Sequence, residues 1–304
     1  MPAEGLTLFK LATTMVFEVD PSLPNPDDLR TDSVLAVARE EYARTRTGPL
    51  AILPVSISYV PAATFTSPAA LSSLLSSLPS SPSSSTSTPS RDTLLRERFT
   101  THSHNLGHVE FIFDLGNWGI NLPPSPTSPT PKKYGSLLQI LQYPFSTGTV
   151  HIQPPSPSNP NNPSLSINPQ YFSPTPQGEF DLTLALHAHH FARRLASTAP
   201  LSSIIRSQVW PPQSETTTDD EIKAWLRLVA TTDWHPVGTC AMGGSKGIEG
   251  GVVDERLRVY GVRGLRVVDA SVMPVQISAH LQATVYAIAE KGAAMILEDW
   301  GVVG

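Results

Sequence analysis

Three tracts rich in proline and serine set where regular structure can form in this chain. They are "SPAALSSLLSSLPSSPSSSTSTPS" at 67–90, "PPSPTSPTP" at 123–131 and "PPSPSNPNNP" at 154–163. Proline has no amide hydrogen to give to a helix or a sheet, and its ring fixes φ. A serine-rich tract buries too little apolar surface to offset the entropy of ordering it. The expectation is a mobile surface insertion at 67–90 and loops at the two shorter tracts. With 30 prolines and 19 glycines in 304 residues, much of the chain must be loop, yet 40% hydrophobic residues suffice for one large domain or two small ones.

Between the tracts, strand and helix patterns alternate. Residues 6–20, "LTLFKLATTMVFEVD", and 50–60, "LAILPVSISYV", read as strands, rich in β-branched and aromatic residues. Within 25–47, Asp27 and Asp28 mark a helix start, and Leu29, Val34, Val37, Ala38 and Tyr42 recur near helical spacing before Gly48-Pro49. "GSLLQILQYPFSTGTVHI" predicts strands around a turn at Gly148, and 179–200 predicts a helix ending at Pro200. Asp219 and Asp220 open another helix, with Ile222, Trp225, Leu226 and Val229 as its apolar positions. In the glycine-rich last seventy residues, "GLRVVDAS" at 264–271 reads as a short buried strand. Residues 278–300 read as a helix with Ser278 as N-cap. Its apolar face is Leu281, Val285, Ile288, Ala289, Gly292, Ala293, Ile296 and Leu297.

Charge and cysteine content exclude several classes. The net charge is −5 and no run of Lys or Arg appears, which argues against a nucleic-acid partner. The single Cys240 rules out an internal disulfide and a CxxC-type zinc site. No signal peptide is visible, and no stretch approaches the roughly 18 apolar residues of a membrane span, so no membrane partner is expected.

The candidates for chemistry are mostly histidines. Cys240 in "GTCAMGG" is either a thiolate nucleophile, which would require a nearby base, or a small buried hydrophobe, and a lone cysteine among small residues favours the second. His187 and His190 share a helix face in "LHAHHF", without enough further ligands for a metal. His102, His104 and His108 alternate in "HSHNLGH", a spacing that can put two on one strand face. His235 and His280 lie at the edges of elements in the glycine-rich C-terminal section, and they are the best acid–base pair in the chain. The turn at Asp269-Ala270-Ser271 and the helix start near Leu281 offer free backbone N–H groups that favour an anion.

Taken together, "DWHPVGTCAMG" and "GGVVDERLRVYGVRGLRVVDASVMPVQISAHLQATVYAIAEKGAAMI" resemble the C-terminal part of the glucose–methanol–choline (GMC) family of FAD-dependent oxidoreductases. "YPFSTGTVHI" and "SLSINPQYFS" resemble the family's passage from substrate-domain strand to loop. The match is most specific over 231–296, weaker over 137–200 and faint over 1–66. It implies an α+β fold: a substrate domain over 1–232, mostly antiparallel sheet with flanking helices and the insertion at 67–90. Residues 233–304 then complete the active site with the C-terminal strand and helix of an incomplete FAD-binding domain.

The resemblance also implies FAD as cofactor and a small-molecule alcohol as substrate. His235 would be the main base and His280 a hydrogen-bonding or shared base, with hydride passing to the flavin. Asp269 and Ala270 would lie at the FAD pyrophosphate, and His280 and Leu281 at the flavin ring. Cys240 has no catalytic role in the family. The G-x-G-x-x-G turn that holds the ADP half of FAD is missing from this sequence. The expectation is therefore a truncated chain with weak or no FAD binding alone, marginal solubility, and apolar surface exposed around 264–271 and 281–298. Two other readings stay open: a non-catalytic remnant or binding module without cofactor, and a redox-silent lyase or cyclase on the same fold.

Overall fold

The computed structural model describes residues 6–51, 55–79, 91–118, 132–154, 164–243 and 250–302. Two antiparallel sheets form among them. The smaller joins β1 (Leu6–Thr7), β6 (Gly148–Ile152) and β7 (Leu165–Asn168) in the order β1-β6-β7. The larger is built from β2 (Leu11–Val19), β3 (Val55–Val60), β4 (Val109–Leu115), β5 (Lys133–Leu141) and β8 (Ile205–Trp210). They run in the order β3-β4-β5-β2-β8, with the short β9 (Thr231–Thr232) also paired to β2. Helices flank the larger sheet, so the α+β class expected from the sequence is the one observed.

Side chains alternate across a strand, and this gives the larger sheet two different faces. Leu11, Met15 and Phe17 of β2, Val109 and Phe111 of β4, and Leu137 and Leu141 of β5 share the main core. That core is closed by α2 (Pro68–Ser77), α3 (Arg91–Thr100), α4 (Pro176–Ala196) and α5 (Asp219–Val229). The opposite face holds a smaller cluster of Ala12, Leu138 and Ile140, with Ile112 against it. On this face Tyr59, Glu110, Ile140 and Ala12 line up in one row across four strands.

Several expectations are corrected. The serine tract is helical where it carries leucines: Ser67 caps α2 by accepting from the Ala70 amide at 3.2 Å, and Leu71, Leu75 and Leu78 are buried. Three leucines at helical spacing provide the burial that the serines cannot. Residues 80–90, 123–131 and 155–163 lie outside the described residues. Asp27 and Asp28 head a 3-10 turn (Pro26–Arg30), and α1 (Asp32–Thr45) follows it with only Ala38 buried. Of the strand expected over 50–60, residues 55–60 form β3, residues 50 and 51 belong to a 3-10 turn, and 52–54 lie outside the described residues; Gly148 opens β6 rather than making the turn. The helix expected to end at Pro200 ends at Ala196.

Residues 264–271 are not a buried strand. Only Arg266 makes a ladder contact, an isolated bridge to Arg258, and Leu265 is exposed. A strand exists only against a neighbour that takes its amides and carbonyls, and no strand of either sheet runs beside this segment.

Helix α6 (Gln282–Asp299) packs through Val285, Ile288, Gly292 and Met295. A Cβ at Gly292 would stand 2.6 Å from Val268 Cγ1, so this glycine sets how closely α6 approaches the 266–268 segment. Ala289, Ala293, Ile296 and Leu297, predicted on the same face, are exposed, in line with the apolar surface expected there. Ser278 is not the cap. Its hydroxyl donates to the Gly107 carbonyl at 2.6 Å, and Leu281 occupies the cap position without a side-chain bond.

Candidate functional site

Residues 8–10, just before β2, bring the N-terminal and C-terminal parts of the chain together. Leu8 exchanges both backbone hydrogen bonds with Val237, at 2.9 and 3.0 Å, and the Asp233 amide donates to the Lys10 carbonyl at 3.2 Å. These bonds prolong the pairing of β9 with β2, so "DWHPV" runs antiparallel to "LFK". The Gln276 side-chain amide donates to the carbonyls of Leu8, at 3.2 Å, and His235, at 2.6 Å. Leu8, Val237, Met273 and Leu281 close an apolar cluster beneath. Beyond His235, the amides of Gly238 and Cys240 both donate to the Ser271 carbonyl, at 3.1 and 3.0 Å.

This arrangement places His235 and His280, forty-five positions apart in sequence, edge to face with ring centroids 5.0 Å apart and planes at 83°. Each imidazole has its own carboxylate. His235 Nδ1 lies 2.7 Å from Asp233 Oδ2, a charge contact without hydrogen-bond alignment. His280 Nε2 lies 2.8 Å from Glu110 Oε1. Glu110 is fully buried on β4, and its other oxygen accepts from Gln142 Nε2 at 3.0 Å. The Tyr59 hydroxyl also donates to Glu110; burial first, and that carboxylate second, push the phenol above its ordinary range.

Lys10 completes the group. It has no exposed surface, and its Nζ donates to the Ala279 carbonyl at 2.5 Å. Burial lowers its ammonium to about 8, against the opposing pull of Glu110 and Asp233.

The other sequence candidates fall elsewhere. Asp269 accepts from the Ser271 amide at 2.8 Å and caps the 3-10 turn Ala270–Val272; Ala270 packs against the cluster under His235. Leu281 is buried at the start of α6, directly after His280. Cys240 is half-buried and unpaired by disulfide. His187 Nδ1 meets Thr66 Oγ1 at 3.1 Å, and His190 Nε2 pairs with Asp219 at 2.8 Å, so they do not converge. His102 and His104 lie in a turn rather than on a strand. His108 is buried, with Nδ1 accepting from the Ala62 amide at 3.1 Å and Nε2 at 2.9 Å from the Arg98 carbonyl.

Sequence reasoning missed Asp233, Glu110, Lys10 and Tyr59. Asp233 stood two places before His235. Glu110 carried a signal as well, since a carboxylate inside the apolar run "VEFIFDL" must be exposed or partnered.

Comparisons with known proteins cover the same part of the chain. Residues 144–289 match the GMC oxidoreductase family model, a match that includes both histidines. This region is similar to the C-terminal region of GMC oxidoreductases. The chain is 39% identical over 163 residues to a GMC oxidoreductase family protein, Mala s 12, of Malassezia sympodialis, covering 53% of this chain and 24% of that protein. It is 29% identical over 307 residues to pyranose dehydrogenase 3 of Leucoagaricus meleagris, covering 98% of this chain and 44% of the relative. Thus the chain spans between a quarter and a half of the length of these relatives.

Among solved structures, the fold is similar to formate oxidase of Aspergillus oryzae, with TM-score 0.73 at 21% identity over 96% of this chain and 47% of that one. It is also similar to a fungal aryl-alcohol oxidase, with TM-score 0.65 at 22% identity over 97% and 48%. At these identities the likeness concerns the fold.

Proposed function

We propose that this chain carries the substrate side and the histidine pair of an FAD-dependent GMC oxidoreductase that oxidises an alcohol. One observation carries the reading: the two imidazoles stand 5.0 Å apart, each beside its own carboxylate, inside the region that matches the family. With Nδ1 facing Asp233, His235 keeps Nε2 for a substrate hydroxyl and is the main base. With Nε2 on Glu110, His280 offers Nδ1 to the same hydroxyl, as a hydrogen-bonding or shared base. A carboxylate hydrogen-bonded behind an imidazole fixes its tautomer and orientation, as Glu110 does for His280, and the Asp233 charge beside His235 Nδ1 favours a proton on that nitrogen.

FAD, when bound, would accept the hydride that leaves the carbinol carbon. The residues present fit its ring end: His280 and Leu281 stand at the start of α6, where no side chain caps the first turn. That helix end favours negative charge on a bound ring. Asp269 and Ala270 would meet the pyrophosphate through backbone amides. The dinucleotide end has no such fit. Both sheets are antiparallel, and no G-x-G-x-x-G stands in the sequence. A second reading is a module that keeps the fold without the cofactor.

The test is anaerobic. The chain is mixed with excess FAD and a panel of primary and secondary alcohols, and bleaching of the flavin band is followed. Bleaching that slows by roughly a hundredfold in His235→Ala, and less in His280→Ala, supports the proposal. No bleaching with any alcohol favours the second reading, and equal rates in the variants remove the histidines from the chemistry.

A further inference from the structure

Behind the histidine pair, Lys10 is buried, and the charges of two carboxylates, Glu110 and Asp233, act on its ammonium. Its flanking backbone is fixed by the Leu8–Val237 bonds and by the Asp233 amide, while its side chain crosses to the opposite side of the site and ends on Ala279, the residue before His280. One residue thus touches the backbone of both histidine-bearing segments. The groups that face it are Glu110 on β4, which also meets Tyr59 of β3 and His280, and Asp233 after β9, which meets His235. Asp233, His235 and His280 bring ligand-type atoms within 4.8 Å of one another. Two of these side chains already meet as the Asp233–His235 pair, and the nearby Lys10 ammonium adds positive charge that opposes a metal cation.

We propose that Lys10 is a positioning residue of the site: its ammonium is the shared counter-charge of Glu110 and Asp233, and its bond to Ala279 holds His280 against His235. Burying carboxylates without a cation is costly, and one buried ammonium in the field of both offsets part of that cost. When the ammonium loses its proton, both carboxylates lose their shared partner at once, so the two histidine segments respond together.

The importance of the pair rests on the function proposed above, but the test contains neither flavin nor alcohol and so fails or succeeds independently. Backbone amide spectra of the whole chain are recorded from about pH 6 to about pH 10, spanning the window between the buried and the ordinary lysine. The Asp233 and His280 amides are expected to move through one shared midpoint near 8. In Lys10→Arg both stay at their low-pH positions throughout, because the guanidinium remains charged. In Lys10→Met the midpoint disappears. Separate midpoints, no movement in the unaltered chain, or a midpoint that survives in either variant overturns the proposal. The unaltered chain and Lys10→Arg decide the matter even where Lys10→Met does not fold.

Discussion

Replacing Glu110 by glutamine removes one charge and changes almost no volume, so its cost measures what the carboxylate does. Three donors converge on Glu110: His280 Nε2 at 2.8 Å, Gln142 Nε2 at 3.0 Å and the Tyr59 hydroxyl. A glutamine amide keeps one accepting oxygen and turns an NH2 group towards at least one of those donors. Hydrogen bonds to a charged group contribute about 1.5–3 kcal/mol against about 0.5–1.5 for neutral ones, so two weakened bonds lose about 2–3 kcal/mol. The half-exposed His280 belongs at the low end, where solvent screens the pair.

Urea denaturation of Glu110→Gln, His280→Gln and the double variant isolates the pair. The expected coupling between the two sites is about 1–2 kcal/mol, from the same hydrogen-bond range. Additive effects, or a cost for Glu110→Gln below about 0.5 kcal/mol, would refute the claim that Glu110 holds His280 in place.

Three further outcomes follow from other parts of the fold. His189 is buried against Trp225 with neither ring nitrogen bonded, and burial lowers it to about 3. Its contribution is therefore full above the ordinary value near 6.5 and is lost as pH falls towards 3. His189→Phe should be more stable than the unaltered chain at pH 4 by up to about 3 kcal/mol, seen in thermal melts. Asp181 accepts from the amides of Phe145 and Ser146 at 2.8 and 2.9 Å, and burial raises it to about 6. Asp181→Asn should cost about 1–3 kcal/mol in denaturant melts. It should also remove a stability term that is present below pH 3.8 and lost as pH rises through about 6. On α6, Ile296→Lys with Leu297→Lys should lower self-association in light scattering without lowering the melting temperature, because both residues are exposed.

The legible parts of the sequence were those where a local pattern and a tertiary partner agree. Helix α5 is one: Thr218 and Glu221 form a capping box, and Ile222, Trp225 and Leu226 are buried as their spacing predicts. His235 and His280 could be named because each stands in a recognisable run, and the fold brings the two runs together. The strand at 264–271 failed because strand character is a property of a pair, and this segment pairs only through an isolated bridge with 257–259 and joins neither sheet. The serine tract failed in the other direction, because composition hid the spacing of Leu71, Leu75 and Leu78. Lys10, Tyr59 and Glu110 were illegible as a group, since only the register of β3, β4 and β5 with β2 and the crossing of Lys10 to Ala279 place them at one site.

The most direct test of the account is a titration of the isotope-labelled chain with FAD, followed through the imidazole signals of His235 and His280 and the amides of 281–284. This readout works for a weakly held cofactor. The account predicts that FAD moves these signals first, with the amides of Asp269 and Ala270, and that His235→Ala leaves the α6 amides still responding. Shifts confined to other surfaces, or none as FAD rises, would contradict the placement of the histidine pair at a flavin.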